Sequence, residues 1–174
     1  MIYVFRITSA EKPDFSRQLS LDAQHTFADF HCCIQKACHY GPEQLASFFL
    51  PGKYTGKQIE VTQLDLGPLG FPTHVMERTL LKQLLHYEQQ RLLYVYDFFQ
   101  DRSFYIELIQ IFMEKNLLEP AVTENIGDAP AQILEEEVQD QSPESPVLEE
   151  KYDYGDLDDY NEIYGEMEDL MEGL

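Results

Sequence analysis

Negative charge is gathered at one end of this chain of 174 residues, and nothing else constrains its fold as strongly. Residues 1–118 carry 11 Lys and Arg against 13 Asp and Glu, whereas residues 119–174 carry one, Lys151, against 19. A body of net charge −2 therefore precedes a stretch of −18. Such a block repels itself and buries little apolar surface per residue, so it stays solvated or folds only on a partner. Any core must come from the body, whose length suffices for one modest domain.

The opening residues Met1-Ile2-Tyr3-Val4-Phe5-Arg6 offer no charged leader followed by an apolar run, and no stretch approaches the ~18 apolar residues of a membrane span. Cys32, Cys33 and Cys38 are odd in number, two are adjacent, and all fall on one predicted helix. That suits reduced thiols rather than a disulfide framework. The expectation is a soluble, unexported, cytoplasmic chain with no membrane contact.

Within the body, residues 2–9 are β-branched and aromatic and read as a largely buried strand. Glu11-Lys12-Pro13-Asp14 turns the chain back into a second strand, where Phe15, Arg17, Leu19 and Leu21 share a face at period two. Thr26 stands as an N-cap with Asp29 three residues on. Phe27, Phe30, Ile34 and Ala37 then recur at helical spacing, so a helix follows, ended by Gly41-Pro42. Leu45–Leu50 and Ile59–Leu66, parted by a Pro51-Gly52 turn, predict two short strands, and Gly67-Pro68 with Gly70–Pro72 predict a loop. Thr79 begins a second short helix on Leu80, Leu81, Leu84 and Leu85. Two further strands, Leu92–Phe98 and Phe104–Phe112, are joined by the polar link Phe99-Gln100-Asp101-Arg102-Ser103. Strand pairs interleaved with two helices imply an α+β domain with a mainly antiparallel sheet, arranged grasp-like on the first helix.

After Leu118 the composition changes. Glu135-Glu136-Glu137 and Asp140–Pro146 read as a solvated, flexible linker. Beyond it Tyr160, Ile163, Met167 and Leu170 recur at intervals of three and four, which predicts a short acidic amphipathic helix over 157–174, marginal alone with Gly165 inside it. The chain thus divides into an α+β domain (1–118), an extension (119–134) and an acidic tail (135–174).

Several stretches resemble a known family, the Ri-plasmid open-reading-frame-three-like proteins, which also carry the label insertion-element passenger TnpR family. They are Tyr3-Val4-Phe5-Arg6-Ile7-Thr8 with the following turn and Arg17; Thr26-Phe27-Ala28-Asp29-Phe30-His31; Leu93-Tyr94-Val95-Tyr96-Asp97-Phe98 with Asp101; and Gly127-Asp128-Ala129-Pro130-Ala131-Gln132. The resemblance covers about residues 2–134 and implies an α+β fold without an established activity. This chain departs from the family pattern in having no Trp, in reading Phe15-Ser16-Arg17-Gln18 for Trp-Arg-Arg and His39-Tyr40-Gly41 for Gly-Trp, and in widening Tyr-Asp-Phe-Gly-Asp to Tyr96-Asp97-Phe98-Phe99-Gln100-Asp101.

A resolvase label implies a serine that attacks a phosphodiester among charge-stabilising arginines. Here the spacing from Tyr3 to Arg6 is one residue too long, Thr8 takes the approximate serine position, and Ala10-Glu11-Lys12 follows Ser9. A hairpin strand is the better reading. His31 and Cys38 lie seven apart without the recurring spacing of a zinc site, so no metal is expected there. Asp97, Asp101 and Glu107 offer carboxylates for acid–base work or a hard cation, but Asp in a tight turn also bonds nearby amides. Arg17 and Arg102 are the nearest candidates for anion contacts, and Tyr96 belongs to the family-like segment Leu93–Phe98. No cofactor is implied.

The function expected is a non-catalytic protein-interaction or accessory module. Its tail would offer Tyr160, Ile163, Met167 and Leu170 to a partner protein with a basic surface or to a basic groove on the body itself, and Arg17, Tyr96, Asp97, Asp101 and Arg102 serve as binding or turn residues. The alternative is a mobile-element-associated nuclease or recombinase accessory using Asp97 and Asp101. Duplex DNA is disfavoured as a partner by the charge balance.

Overall fold

The computed structural model describes residues 1–51, 58–65, 67 and 73–134. The predicted amphipathic helix at 157–174, with Tyr160, Ile163, Met167 and Leu170, and the linker before it lie outside the described residues.

β1 (Ile2–Ser9) and β2 (Ser16–Asp22) form the opening hairpin, in register from Ile2 opposite Asp22 to Thr8 opposite Ser16. Alternation sends Tyr3, Phe5, Ile7, Leu19 and Leu21 into the core and leaves Arg6 exposed. α1 (Phe27–Cys38) begins at Thr26 in a capping box: the Asp29 amide donates to Thr26 Oγ1 at 3.1 Å and the Thr26 amide to Asp29 Oδ2 at 2.8 Å. It ends before the Gly41-Pro42 expected to stop it, on His39 in the left-handed region (φ 58°), while the Tyr40 amide returns to the Gln35 carbonyl at 2.9 Å.

β3 (Ser47–Pro51) and β4 (Gln58–Thr62) match the two short strands, and β5 (Thr73–Val75), unanticipated from the sequence, pairs parallel to β4. The leucine-rich helix shrinks to one turn, α2 (Leu81–Leu84). Its first amides are taken by tertiary partners, Leu81 by the His25 carbonyl at 2.9 Å and Lys82 by that of Ala23 at 3.1 Å, while the Leu85 carbonyl accepts from the Tyr3 hydroxyl at 2.9 Å. β6 (Arg91–Asp97) and β7 (Arg102–Phe112) form the second hairpin. β8 (Ala121–Ile126) then pairs antiparallel with β2, so the sheet takes in residues beyond Leu118.

Among the described residues the strands make one sheet in the order β5-β4-β3-β6-β7-β1-β2-β8, antiparallel throughout except β4–β5. With the two helices this is an α+β fold. One face carries a chain of aromatic contacts into α1: Phe5 to Phe30 at 4.4 Å between ring centroids, Phe30 to Phe48 at 5.1 Å, Phe48 to Tyr94 at 4.9 Å, with Phe104 at 5.1 Å from Phe15 and 4.7 Å from Tyr96. No helix among the described residues is long and apolar enough to cross a membrane.

Candidate functional site

Three of the residues singled out in the sequence meet where the β6–β7 hairpin approaches the β1–β2 turn. Register shifts between Val95 and Asp97, placing Asp97 opposite Arg102 at the hairpin's mouth. Arg102 is only 7% exposed, and it makes a forked pair with Glu11: Nε to Oε1 at 2.9 Å and Nη2 to Oε2 at 2.8 Å. The Tyr96 hydroxyl donates to the same Glu11 Oε1 at 2.9 Å, and the Tyr96 ring lies 5.1 Å from the guanidinium carbon. The Arg102 bond holds the Glu11 carboxyl below its ordinary pKa, against the opposing effect of burial, and burial in turn pushes the Tyr96 hydroxyl well up.

The remaining donors of Arg102 go to the backbone of the segment after β8: Nη2 to the Ala131 carbonyl at 2.6 Å and Nη1 to that of Gln132 at 3.3 Å. Arg17 does the same at the segment's other end. It is 3% exposed, and it donates from Nη1 to the Ile126 carbonyl at 2.6 Å and from Nε to the Ala37 carbonyl at 2.9 Å, capping the last turn of α1. Between them the Tyr40 hydroxyl donates to the Pro130 carbonyl at 2.8 Å, and the Gln132 side chain clasps Gly41, accepting from its amide at 2.8 Å and donating to its carbonyl at 2.9 Å. Gly127 turns the chain with φ +65°, and any Cβ there would overlap the Asp14 carbonyl oxygen. The family-like segment Gly127–Gln132 is thus a strap, latched by two buried arginines and a tyrosine.

Among the other candidates, Asp97 and His31 have structural partners. Asp97 Oδ1 accepts from the amides of Phe99 and Gln100 at 3.0 and 3.1 Å, the turn chemistry expected of it, and Oδ2 lies 3.7 Å from Arg102 Nη1. Asp101 occupies the left-handed position of the turn (φ 52°). Glu107 is not brought to them: it stands on the opposite face of the sheet, in register with Arg6 and Arg91. His31 is buried between Tyr94, whose hydroxyl is 2.8 Å from Nδ1, and Gln63, whose Nε2 is 2.8 Å from its Nε2. Burial pushes the Cys33 thiol up to about 11 and that of Cys38 up to about 12, which leaves both protonated and poorly nucleophilic at neutral pH. All three cysteines are free. Among the described residues no group of three or more His, Cys, Asp or Glu is placed to hold a metal ion.

Sequence reasoning passed over the face of the sheet turned away from α1. There a cavity of about 860 Å³ is lined by Arg6, Thr8, Phe49, Pro51, Gln58, Arg91, Leu93, Tyr105 and Glu107, with the Leu92 and Ile106 positions beneath. The one legible signal was Arg6, a charge at an outward position of an otherwise apolar strand.

A family model described as "Plasmid pRiA4b ORF-3-like protein" matches residues 1–140. Nothing among curated proteins matches the chain. Among solved structures it is similar to the crystal structure of the protein of unknown function MM3350 from Methanosarcina mazei Go1, with a TM-score of 0.59 and 20% identity over 71% of this chain and 67% of that one. That likeness is one of fold.

Proposed function

The chain belongs to the plasmid pRiA4b ORF-3-like family, and we propose that it is a non-catalytic interaction module whose body holds the root of an acidic tail and offers that tail to a partner protein with a basic surface. The strap carries this reading. β8 leaves most of its side chains exposed and the strap after it buries mainly Pro130, so neither is held chiefly by apolar burial. Two arginines are instead withdrawn from solvent to grip its carbonyls, which places Leu134, the last described residue, beside Asp101, Arg102 and Ser103 at the hairpin. The 16 acidic residues after it face one Lys, and their apolar stripe of Tyr160, Ile163, Met167 and Leu170 supplies the contacts that charge alone does not. We take the compartment to be the reducing cytoplasm, in keeping with three free thiols. A nuclease or recombinase accessory centred on Asp97 and Asp101 has no observation in its favour, since Asp97 is engaged by turn amides.

The test is affinity capture from an extract of the organism that encodes the chain, using the full chain, the chain ended after Glu135, and a full chain with Tyr160, Ile163, Met167 and Leu170 changed to Ala. The full chain is expected to retain one or a few basic-surfaced proteins, identified by mass spectrometry, that both variants lose. Capture of the same proteins by the shortened chain would overturn the reading.

A further inference from the structure

We propose that the open face of the sheet carries a separate binding site, for a small ligand that joins a flat apolar ring to a single anionic group. Its cavity, about 860 Å³, lies within the few hundred to ~1,000 Å³ typical of small-molecule sites. The register of the strands builds it in two rows. Phe49 on β3 is opposite Leu93 on β6, which is opposite Tyr105 on β7, so three large apolar side chains stand side by side where a solvent-facing sheet ordinarily shows polar ones. Tyr105 is 53% exposed. Two residues along the strands, about 7 Å away, runs a charged row: Arg91 on β6, Glu107 on β7 and Arg6 on β1, each opposite the next.

The charge count of that row selects the ligand. Two guanidinium groups flank one carboxylate, and neither arginine lies within ion-pair distance of a carboxylate among the described residues. The row is left with one positive charge in excess, matched by a monoanion such as a carboxylate, which a guanidinium grips with two parallel bonds. The spacing of the rows sets the distance from ring to anion. A polyanionic strand is disfavoured, because Glu107 sits within the charged row and Glu60, opposite Phe49, closes the apolar one.

The full chain is titrated with 1-naphthoate, a ring bearing one carboxylate, and binding is followed by calorimetry and by amide shifts of β1, β6 and β7. Binding is expected to weaken about tenfold in Arg6→Gln and in Arg91→Gln, the scale of one lost charge-assisted contact, and by a similar factor in Tyr105→Ser. It is expected to be unchanged in Phe99→Ser, at the fully exposed hairpin tip. All four positions are exposed, so the variants are expected to fold, and thermal melts are the check. Neutral 1-naphthol and ring-free acetate are expected to bind far more weakly. The proposal fails if 1-naphthoate does not bind, if 1-naphthol binds as well as 1-naphthoate, if the arginine variants bind like the parent, or if an oligothymidylate or an acidic peptide binds this face more tightly.

Discussion

A buried guanidinium has five N–H donors; Arg102 makes four bonds, two to the Glu11 carboxylate and two to main-chain carbonyls, while Arg17 makes three to carbonyls and lies by an aromatic face, its guanidinium carbon 4.5 Å from the Phe15 ring centroid. Burial of a charge is tolerated only with such company. His31 meets the same demand without a charge. Gln63 Oε1 accepts from the Ala46 amide at 2.8 Å, so its NH₂ donates to His31 Nε2 and the ring proton sits on Nδ1, facing the Tyr94 oxygen. An imidazolium here would set donor against donor, and burial holds the pKa below the ordinary value. The folded chain then refuses a proton that the unfolded chain accepts. The stability this site contributes is therefore complete above the unfolded pKa of about 6.5 and is lost as pH falls below it. Urea midpoints measured from pH 7.5 to 5.5 should decline, and His31→Gln should flatten that decline. An equally steep decline in the variant would assign the effect elsewhere.

At the scale of elements, β8 and the strap belong to the folded body although the apolar patterning ends before them. A chain ended after Leu118 would strip Arg17 and Arg102 of the carbonyls of Ile126, Ala131 and Gln132, and Tyr40 of that of Pro130. Four bonds at about 1 kcal/mol each come to roughly 4 kcal/mol, a large share of the ~5–15 kcal/mol that stabilises a domain. Equilibrium unfolding of residues 1–118 and 1–135 should therefore show the shorter chain less stable by several kcal/mol. Residues 1–135 are the right comparison because they form one compact unit. Equal midpoints would mean that the latch is decoration on a core complete without it.

For the molecule as a whole, a net charge of −20 sets the long-range field. Binding to duplex DNA gains most of its free energy from counterions displaced by basic residues, and a chain of this charge displaces few. Fluorescence anisotropy with a labelled duplex at physiological salt should give no dissociation constant below the micromolar range. A sub-micromolar value would overturn this expectation. Binding by residues 1–135 alone would point instead to repression by the tail.

What the sequence determined by itself is whatever depends on neighbours along the chain. The 2–9 and 15–21 hairpin, the helix capped at Thr26, the β6–β7 hairpin and the turn role of Asp97 follow from period, capping and turn chemistry, all decided within a few residues. The acidic division of the chain is legible for the same reason, being a sum over residues. Tertiary structure alone decided the rest. β8 has no apolar alternation to announce it and exists because β2 offers an edge. Arg17 and Arg102 look like surface charges until the fold brings carbonyls 20 to 109 residues away to their guanidinium groups. The row of Arg6, Glu107 and Arg91 joins three strands that only the sheet order makes neighbours, and no local pattern encodes a register between residues a hundred positions apart.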